Sequence, residues 1–317
     1  MFKELLSTMR VIALPTKTNF RGVTVREVAL FEGEFGWGEF SPFLEYDDQE
    51  SSQWLASAIE AATSARPAAL RSSIPVNGTI PAISDGQRLK TIIESYPGCR
   101  TFKVKVGENL NEDLIRLQLL RTLRPEAAIR LDVNGLWSIE EALKNLSTII
   151  GEIGAIQYVE QPCATLEELR ELKSRADFDL KIAADEVIRK AADPFAIVLS
   201  GAADIVMLKV QPLGGIKRAR AIAEHHQLPV VVSSALESAI GIHFGLELAA
   251  SIAELHYDCG LATGSLMSTD VAHLQIIDGS IALGELDIKL DGLDVAPDRY
   301  EWWKNRAMRC AEVLGLS

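Results

Sequence analysis

Apolar and polar residues change their rhythm twice along this chain. From Val23 to Phe31 (VTVREVALF) they alternate, which predicts a strand, and Phe35–Glu39 (FGWGE) predicts a glycine-rich strand or bend. Within Asp47–Ala65, the residues Trp54, Leu55, Ala58, Ile59, Ala61 and Ala62 recur at helical spacing, with Asp47 and Asp48 as cap candidates. From about Ile74 short apolar runs alternate with amphipathic stretches. Strands are expected at 74–80, 101–106, 128–133, 156–161, 181–184, 205–210, 230–233 and 256–261. Helices are expected at 110–123, 138–150, 165–175, 216–226 and 239–253. Ser138 with Glu141 and Thr165 with Glu168 form S/T-x-x-E capping boxes and mark two of the helix starts. Beyond 273 alternation returns (HLQIIDGSIALG), followed by a Trp-containing helix at 300–314.

One polar landmark stands near the end of each strand from the second to the seventh: Lys105, Asp132, Glu160, Asp185, Lys209 and Ser233. The steps between them are 27, 28, 25, 24 and 24 residues. A near-constant step of this size fits a repeating βα unit, and eight units close most simply as a (β/α)8 barrel. An open doubly wound sheet would usually carry a glycine-rich phosphate turn, and no G-x-G-x-x-G opens a helix here. The expected class is therefore α/β: a (β/α)8-type barrel at 74–273 with an α+β capping domain. The cap is built from 1–73, with 274–317 as a C-terminal segment that returns to it.

Composition narrows the function. With 317 residues, 48% hydrophobic and Gly (22) and Pro (12) at ordinary levels, the chain is neither disordered nor fibrous. The formal charge of −12, without a basic stretch to reverse it locally, argues against nucleic acid as a partner. No apolar run of about 18 residues is present, so no membrane span is expected. Cys99, Cys163, Cys259 and Cys310 form no CxxC pair, which suits reduced thiols in a cytoplasmic protein. The sequence leaves the oligomeric state open and is compatible with a monomer.

The chemistry lies in what interrupts the apolar strands. Five consecutive strands end in charge: FKVKV, IRLDVN, YVEQP, IAADE and VMLKV. Charge inside a barrel is costly unless paired or metal-bound, and the C-terminal strand ends of such barrels carry the active site. Asp132, Glu160 and Asp185 come from adjacent strands, and three converging carboxylates need a cation between them. An all-oxygen ligand set favours Mg²⁺, with Mn²⁺ as the alternative, over Zn²⁺. Lys103 and Lys105, two residues apart, point to the same side of their strand, the interior. Lys209 lies four strands away, across the barrel. Neighbouring positive charge and burial are expected to lower a lysine pKa toward the range of a base. A metal on oxygens flanked by lysines suits proton abstraction beside a carboxylate, because the enediolate is stabilised by metal and ammonium together. The expected partner is a small-molecule carboxylate.

This constellation of six residues resembles the enolase superfamily, muconate-lactonizing subgroup, and the resemblance covers nearly the whole chain. The flanking text (FRGVTVRE at Arg21, WGEFSPFLEYDD at 37–48, RLDVNG at 130–135, KVQPLGG at 209–215, SSALESAIG at 233–241) is similar to the o-succinylbenzoate synthase family of that subgroup. The resemblance implies dehydration of 2-succinyl-6-hydroxy-2,4-cyclohexadiene-1-carboxylate to o-succinylbenzoate, a step of menaquinone biosynthesis. It implies Lys105 as the base, Lys103 beside the enediolate oxygens, and a protonated Lys209 holding the cyclic intermediate by cation–π attraction. Arg130 would orient the ligand shell, while Ser233, Ser234 and the backbone at Gly214 and Gly215 would receive the succinyl tail. The loop at 20–22, with Arg21 among the substrate-binding candidates, and Phe40–Tyr46 would close over the site. Opposed lysines also serve N-succinylamino acid racemases and dipeptide epimerases, although no Asp-x-Asp ends strand eight. A non-catalytic barrel binding protein would be expected to have lost a ligand or a lysine.

Overall fold

The computed structural model describes residues 2–20 and 22–316. Helix α1 (Phe2–Ser7) leads into an antiparallel sheet of β1 (Arg10–Phe20), β2 (Val23–Gly33) and β3 (Gly36–Phe40), in that order. Helix α2 (Asp48–Thr63) starts where Asp47 accepts a hydrogen bond from the Glu50 amide and packs directly on β3. Gly38 permits that contact, since a Cβ there would collide with the Ala58 carbonyl oxygen. Strand β1 is absent from the expectations above, because RVIALPTKTNF breaks its alternation at Pro15 and a register shift follows.

The barrel strands are β5 (Gly78–Ile80), β6 (Thr101–Lys105), β7 (Ala128–Asp132), β8 (Tyr158–Glu160), β9 (Ile182–Ala184), β10 (Ile205–Lys209) and β11 (Val230–Ser233). They are parallel and adjacent in chain order. The eighth position is held by two parallel bridges, Val76–Cys259 and Ser233–Gly260, which close the ring. Gly260 is needed there: a Cβ would stand 2.5 Å from Ser233 Oγ. The molecule is thus a (β/α)8-type barrel with a cap. Two strand expectations need correction. The segment 74–80 is split into β4 (Ser73–Pro75) and β5, and the expected strand 256–261 is reduced to the two bridging residues.

Around the ring lie α3 (Gly86–Glu94), α4 (Leu110–Leu123), α5 (Ile139–Ile153), α6 (Leu166–Arg175), the short α7 (Glu186–Arg189), α8 (Ile216–His226) and α9 (Ala239–Ser251). Both capping boxes are formed, with Ser138 and Thr165 as the N-caps of α5 and α6. The tail divides its contacts. Strands β12 (Ile276–Ile277) and β13 (Ser280–Ala282) form a hairpin that pairs with β4 below the barrel. The Val295 amide then donates to the Val11 carbonyl, and α10 (Pro297–Val313) packs on α2. Trp303 of α10 is fully buried against Phe40 and donates to Glu27, so both chain ends share one apolar core.

Among the described residues no helix is long and apolar enough to cross a membrane. The four cysteines are buried and unpaired with one another.

Candidate active site

Strand periodicity decides which side chains reach the barrel interior. On β6, Phe102 and Val104 pack outward among the helices, so Thr101, Lys103 and Lys105 point in. Likewise Leu131 of β7, Val159 of β8 and Leu208 of β10 face outward, turning Asp132, Glu160 and Lys209 inward. Deeper in the interior Tyr158, Ala183, Ile205, Met207 and Val231 pack together, with the buried Arg130 guanidinium over the Tyr158 ring. The charged layer sits above these residues at the C-terminal strand ends.

In that layer the structure brings all six residues of the predicted constellation into one network. Lys103 Nζ lies 2.8 Å from Glu160 and 3.4 Å from Asp132. Lys209 Nζ lies 2.5 Å from Asp185 and 3.5 Å from Glu160. Lys105, the most exposed of the three lysines, is 3.7 Å from Asp132. The lysines of β6 and of β10 thus approach the acids from opposite sides of the ring.

The electrostatics follow from burial and these pairs. Burial works against the charge on Asp132, but Lys105, Lys103 and Lys209 outweigh it and bring the carboxyl down to about 2. Asp185 is also held well below the usual range, with Lys209 and Arg189 overcoming its burial. Glu160, in the middle, is raised, first by burial and then by Asp132. Lys103 and Lys209 are raised, since their carboxylate partners overcome the cost of burying an ammonium. For Lys103 this runs against the expected lowering, because carboxylates stand nearer to it than any other cation does; for Lys209 it agrees with the protonated state that the resemblance implies.

Asp132 Oδ1, Glu160 Oε1 and Asp185 Oδ1 are buried and accept no hydrogen bond. One such oxygen projects from each of three adjacent strand ends, and each faces a cationic side chain at ion-pair range without accepting its hydrogen bond: Lys105 at 3.7 Å, Lys209 at 3.5 Å and Arg189 at 3.3 Å. An oxygen-seeking divalent cation fits this donor set. Among the described residues no group of three or more His, Cys, Asp or Glu is already drawn tightly enough to hold a metal ion. Lys103 and Lys209 bridge the acids instead, which is how a barrel can satisfy buried carboxylates with its own side chains.

The remaining candidates divide. Ser233 and Ser234 line the pocket above the acids, and Ser234 Oγ shares a hydrogen bond with Thr263 Oγ1 at 2.8 Å. Arg130 does not reach the acids. Two residues before Asp132 on an inward face means one layer deeper, and there Arg130 donates to Gln157, Asn77 and the Asp258 carbonyl beneath the site. Gly214 and Gly215 face Gln53 and Glu60 of α2, not the pocket, and Glu60 accepts from the Lys217 amide at the start of α8. Arg21 lies outside the described residues.

Several pocket residues carry no signal that the strand-end pattern could supply: Thr79, Asn134, Arg189, Pro212 and Thr263 from the barrel, and Trp54 from the cap. Phe43 and Tyr46 lie within the expected closing segment and also line the pocket. Arg189, one helical turn after Asp185, was legible in principle as an i,i+4 partner. The enclosed space among these residues is only about 40 Å³. Pockets that hold a substrate-sized molecule are nearer 300 Å³ or more, so this is a closed arrangement.

Comparisons with known proteins agree with this layout. Residues 89–293 match the family described as enolase C-terminal domain-like, and 11–62 match the enolase N-terminal domain-like family. The chain is 46% identical to an o-succinylbenzoate synthase of Mycobacterium ulcerans (strain Agy99), over 98% of this chain and 95% of that protein. It is 44% identical to the o-succinylbenzoate synthase of Mycolicibacterium smegmatis, over 98% and 97%. Among solved structures, the L-Ala-D/L-Glu epimerase of Bacillus subtilis superposes with a TM-score of 0.74 at 21% identity, covering 90% of this chain and 98% of the other. The dipeptide epimerase of Enterococcus faecalis V583, complexed with Mg and the dipeptide L-Leu-L-Tyr, gives 0.73 at 20% identity, covering 88% and 96%. At such identity the structural likeness speaks for the fold alone.

Proposed function

The chain belongs to the o-succinylbenzoate synthase family of the enolase superfamily, a lyase family, and from that membership we propose how its own residues dehydrate 2-succinyl-6-hydroxy-2,4-cyclohexadiene-1-carboxylate. Asp132, Glu160 and Asp185 would hold Mg²⁺, which when bound stabilises the negative charge that develops on the substrate carboxylate during enolisation. Lys105 takes the proton α to that carboxylate. The electron pair moves into the enediolate, and Lys103 donates to its oxygens. Collapse of the enediolate expels the ring hydroxyl on the same flank, where the Lys105 ammonium returns the proton. The products are water and the aromatic o-succinylbenzoate, so the proton count balances without another reactant.

Lys209 meets the ring from the opposite side as an ammonium. Cation–π attraction of this kind is worth up to about 2 kcal/mol when desolvated. Phe43, Tyr46 and Trp54 reach from the cap and exclude water. Ser233, Ser234 and Thr263 offer hydroxyls to the succinyl tail. We place the reaction in the cytoplasm, a reading supported by four buried cysteines that form no disulfide.

The observation that carries this reading is the row of buried carboxylate oxygens that accept no hydrogen bond at the ends of β7, β8 and β9, with lysines on both flanks. The test is incubation with the cyclohexadiene substrate, following the ultraviolet absorbance of the aromatic product with Mg²⁺, with chelator, and with Mg²⁺ restored. Turnover that survives chelation would remove the metal from the scheme. The opposed lysines also favour N-succinylamino acid racemisation as a second reading. Optical rotation of single-enantiomer N-succinylamino acids under the same conditions separates it from dehydration.

A further inference from the structure

Arg189 is buried at the seam between cap and barrel, its side chain 4% exposed. A residue needed there only to fill space would be apolar, since burying a guanidinium is costly unless several partners meet it. Its partners lie on both sides. On the barrel, its Nε is 3.3 Å from Asp185 Oδ1 and an Nη is 2.8 Å from Glu186. On the cap, the other Nη donates to the Tyr46 hydroxyl at 3.3 Å and to Glu50 of α2 at 3.4 Å. The next residue, Lys190, places its ammonium 5.4 Å from the Tyr46 ring. The turn that carries Arg189 is itself fixed, because Gln161 Oε1 accepts from the Asp185 and Val187 amides.

A site of about 40 Å³ beneath aromatic cap residues must open to admit a substrate. When the cap lifts, Tyr46 and Glu50 leave Arg189, and its fork is free to redistribute onto Asp185 and Glu186. When the cap seats, the fork is shared. We propose that Arg189 is a positioning residue that couples the seating of the cap to the orientation of Asp185, so that the ligand set is completed only under a closed cap. The proposal rests on the reading of Asp185 as a metal ligand.

The test uses full-length protein and the variants Glu50→Gln, Arg189→Met, Arg189→Lys and the double variant Glu50→Gln/Arg189→Met. Three readouts are taken: amide hydrogen exchange of residues 43–52 in metal-free protein, Mg²⁺ affinity by calorimetry, and KM and kcat. Loss of coupling is expected to speed exchange in 43–52 about tenfold in Glu50→Gln and in Arg189→Met, with α10 unchanged. Arg189→Met should weaken Mg²⁺ binding at least about tenfold, and Glu50→Gln by a smaller factor with a raised KM. The double variant should be no weaker than Arg189→Met, because both changes break one bridge. Arg189→Lys is the diagnostic rescue. An ammonium can serve Asp185 or Glu50 but lacks the fork to span both, so Mg²⁺ affinity should recover only to the level of Glu50→Gln while exchange stays fast.

Unchanged exchange in 43–52 for both single variants overturns the proposal, as does Mg²⁺ affinity that responds to Arg189→Met but not at all to Glu50→Gln. Should Arg189→Met fail to fold, Glu50→Gln and Arg189→Lys still decide. A parent protein that binds no Mg²⁺ overturns the coupling together with the metal reading, and exchange then judges separately whether Arg189 holds the cap.

Discussion

A carboxylate inside a barrel must be matched by positive charge or keep its proton, and the three site acids are matched to different degrees. Asp132 and Asp185 each have lysine partners strong enough to hold them ionised, while Glu160 between them is pushed up by burial and by Asp132. A further cation in the layer would relieve Glu160 most. Glu160→Gln is therefore expected to weaken Mg²⁺ binding and lower activity together, and calorimetry showing unchanged affinity would take Glu160 out of the ligand set. Lys105 is the most exposed of the three site lysines and pairs with Asp132 at 3.7 Å. Lys105→Ala should then cut kcat by at least about 10³ while leaving Mg²⁺ affinity near that of the parent, checked by single-turnover kinetics and calorimetry. These acids and lysines were legible in the sequence because charge at the end of an apolar strand has few bland explanations. Depth was not legible: Arg130 shares the period of Asp132 but lies a layer below it. Nor was the direction of the Lys103 shift, which depends on distances to carboxylates that spacing alone does not give.

Elements with a local signature followed their sequence, and those that depend on distant partners did not. Helices α4 and α8 begin and end where their periodicity does, and α5 begins one residue after its Ser138 cap. The Ser138 box is exposed and Ser138 does not line the pocket, so Ser138→Ala isolates its worth. The expected loss is about 1 kcal/mol of stability, read as a lower urea midpoint with kcat unchanged. The single strand expected at 74–80 (IPVNGTI) is two strands, β4 and β5, and the division falls where Pro75 and the Asn77-Gly78 pair interrupt the apolar run. What separates them is pairing: β4 joins the hairpin β12–β13 from the far end of the chain, while β5 joins β6. The eighth strand was overestimated for the complementary reason. Its text is strand-like, yet only Cys259 and Gly260 bridge to the neighbouring barrel residues.

Across the whole molecule, cap and barrel are joined through buried polar contacts, and these make the seam sensitive to pH. Glu39 of β3 accepts from Ser41, Gln211, Ser238 and the Gly241 amide, so the cap supplies acceptors at the N-terminus of α9. Nearby Glu237 accepts from the Ala235 amide, but its Oε1 is buried without a partner. Burial, then the neighbouring Glu39, pushes its carboxyl up to about 7. Asp270, also beside the start of α9, is raised to about 7 by burial despite two amide donors. A carboxyl that binds its proton more tightly when folded contributes stability that is full below its ordinary value and is lost as pH rises through the folded value. The window is therefore about pH 4.5 to 7, and for Glu237 the loss amounts to about 3 kcal/mol. Asp132 works in the opposite sense, but its contribution changes only below about pH 4 and leaves this window alone. Glu237→Gln should then flatten the decline in stability between pH 5 and 8 and leave the variant more stable than its parent at pH 8. Urea unfolding of metal-free protein at each pH measures it. A variant curve that runs parallel to the parent would show that the seam's pH response arises elsewhere, with Asp270→Asn the next substitution to compare. Leu236, beside Glu237, lines the pocket over the acids, so the pH-sensitive seam and the site share one wall.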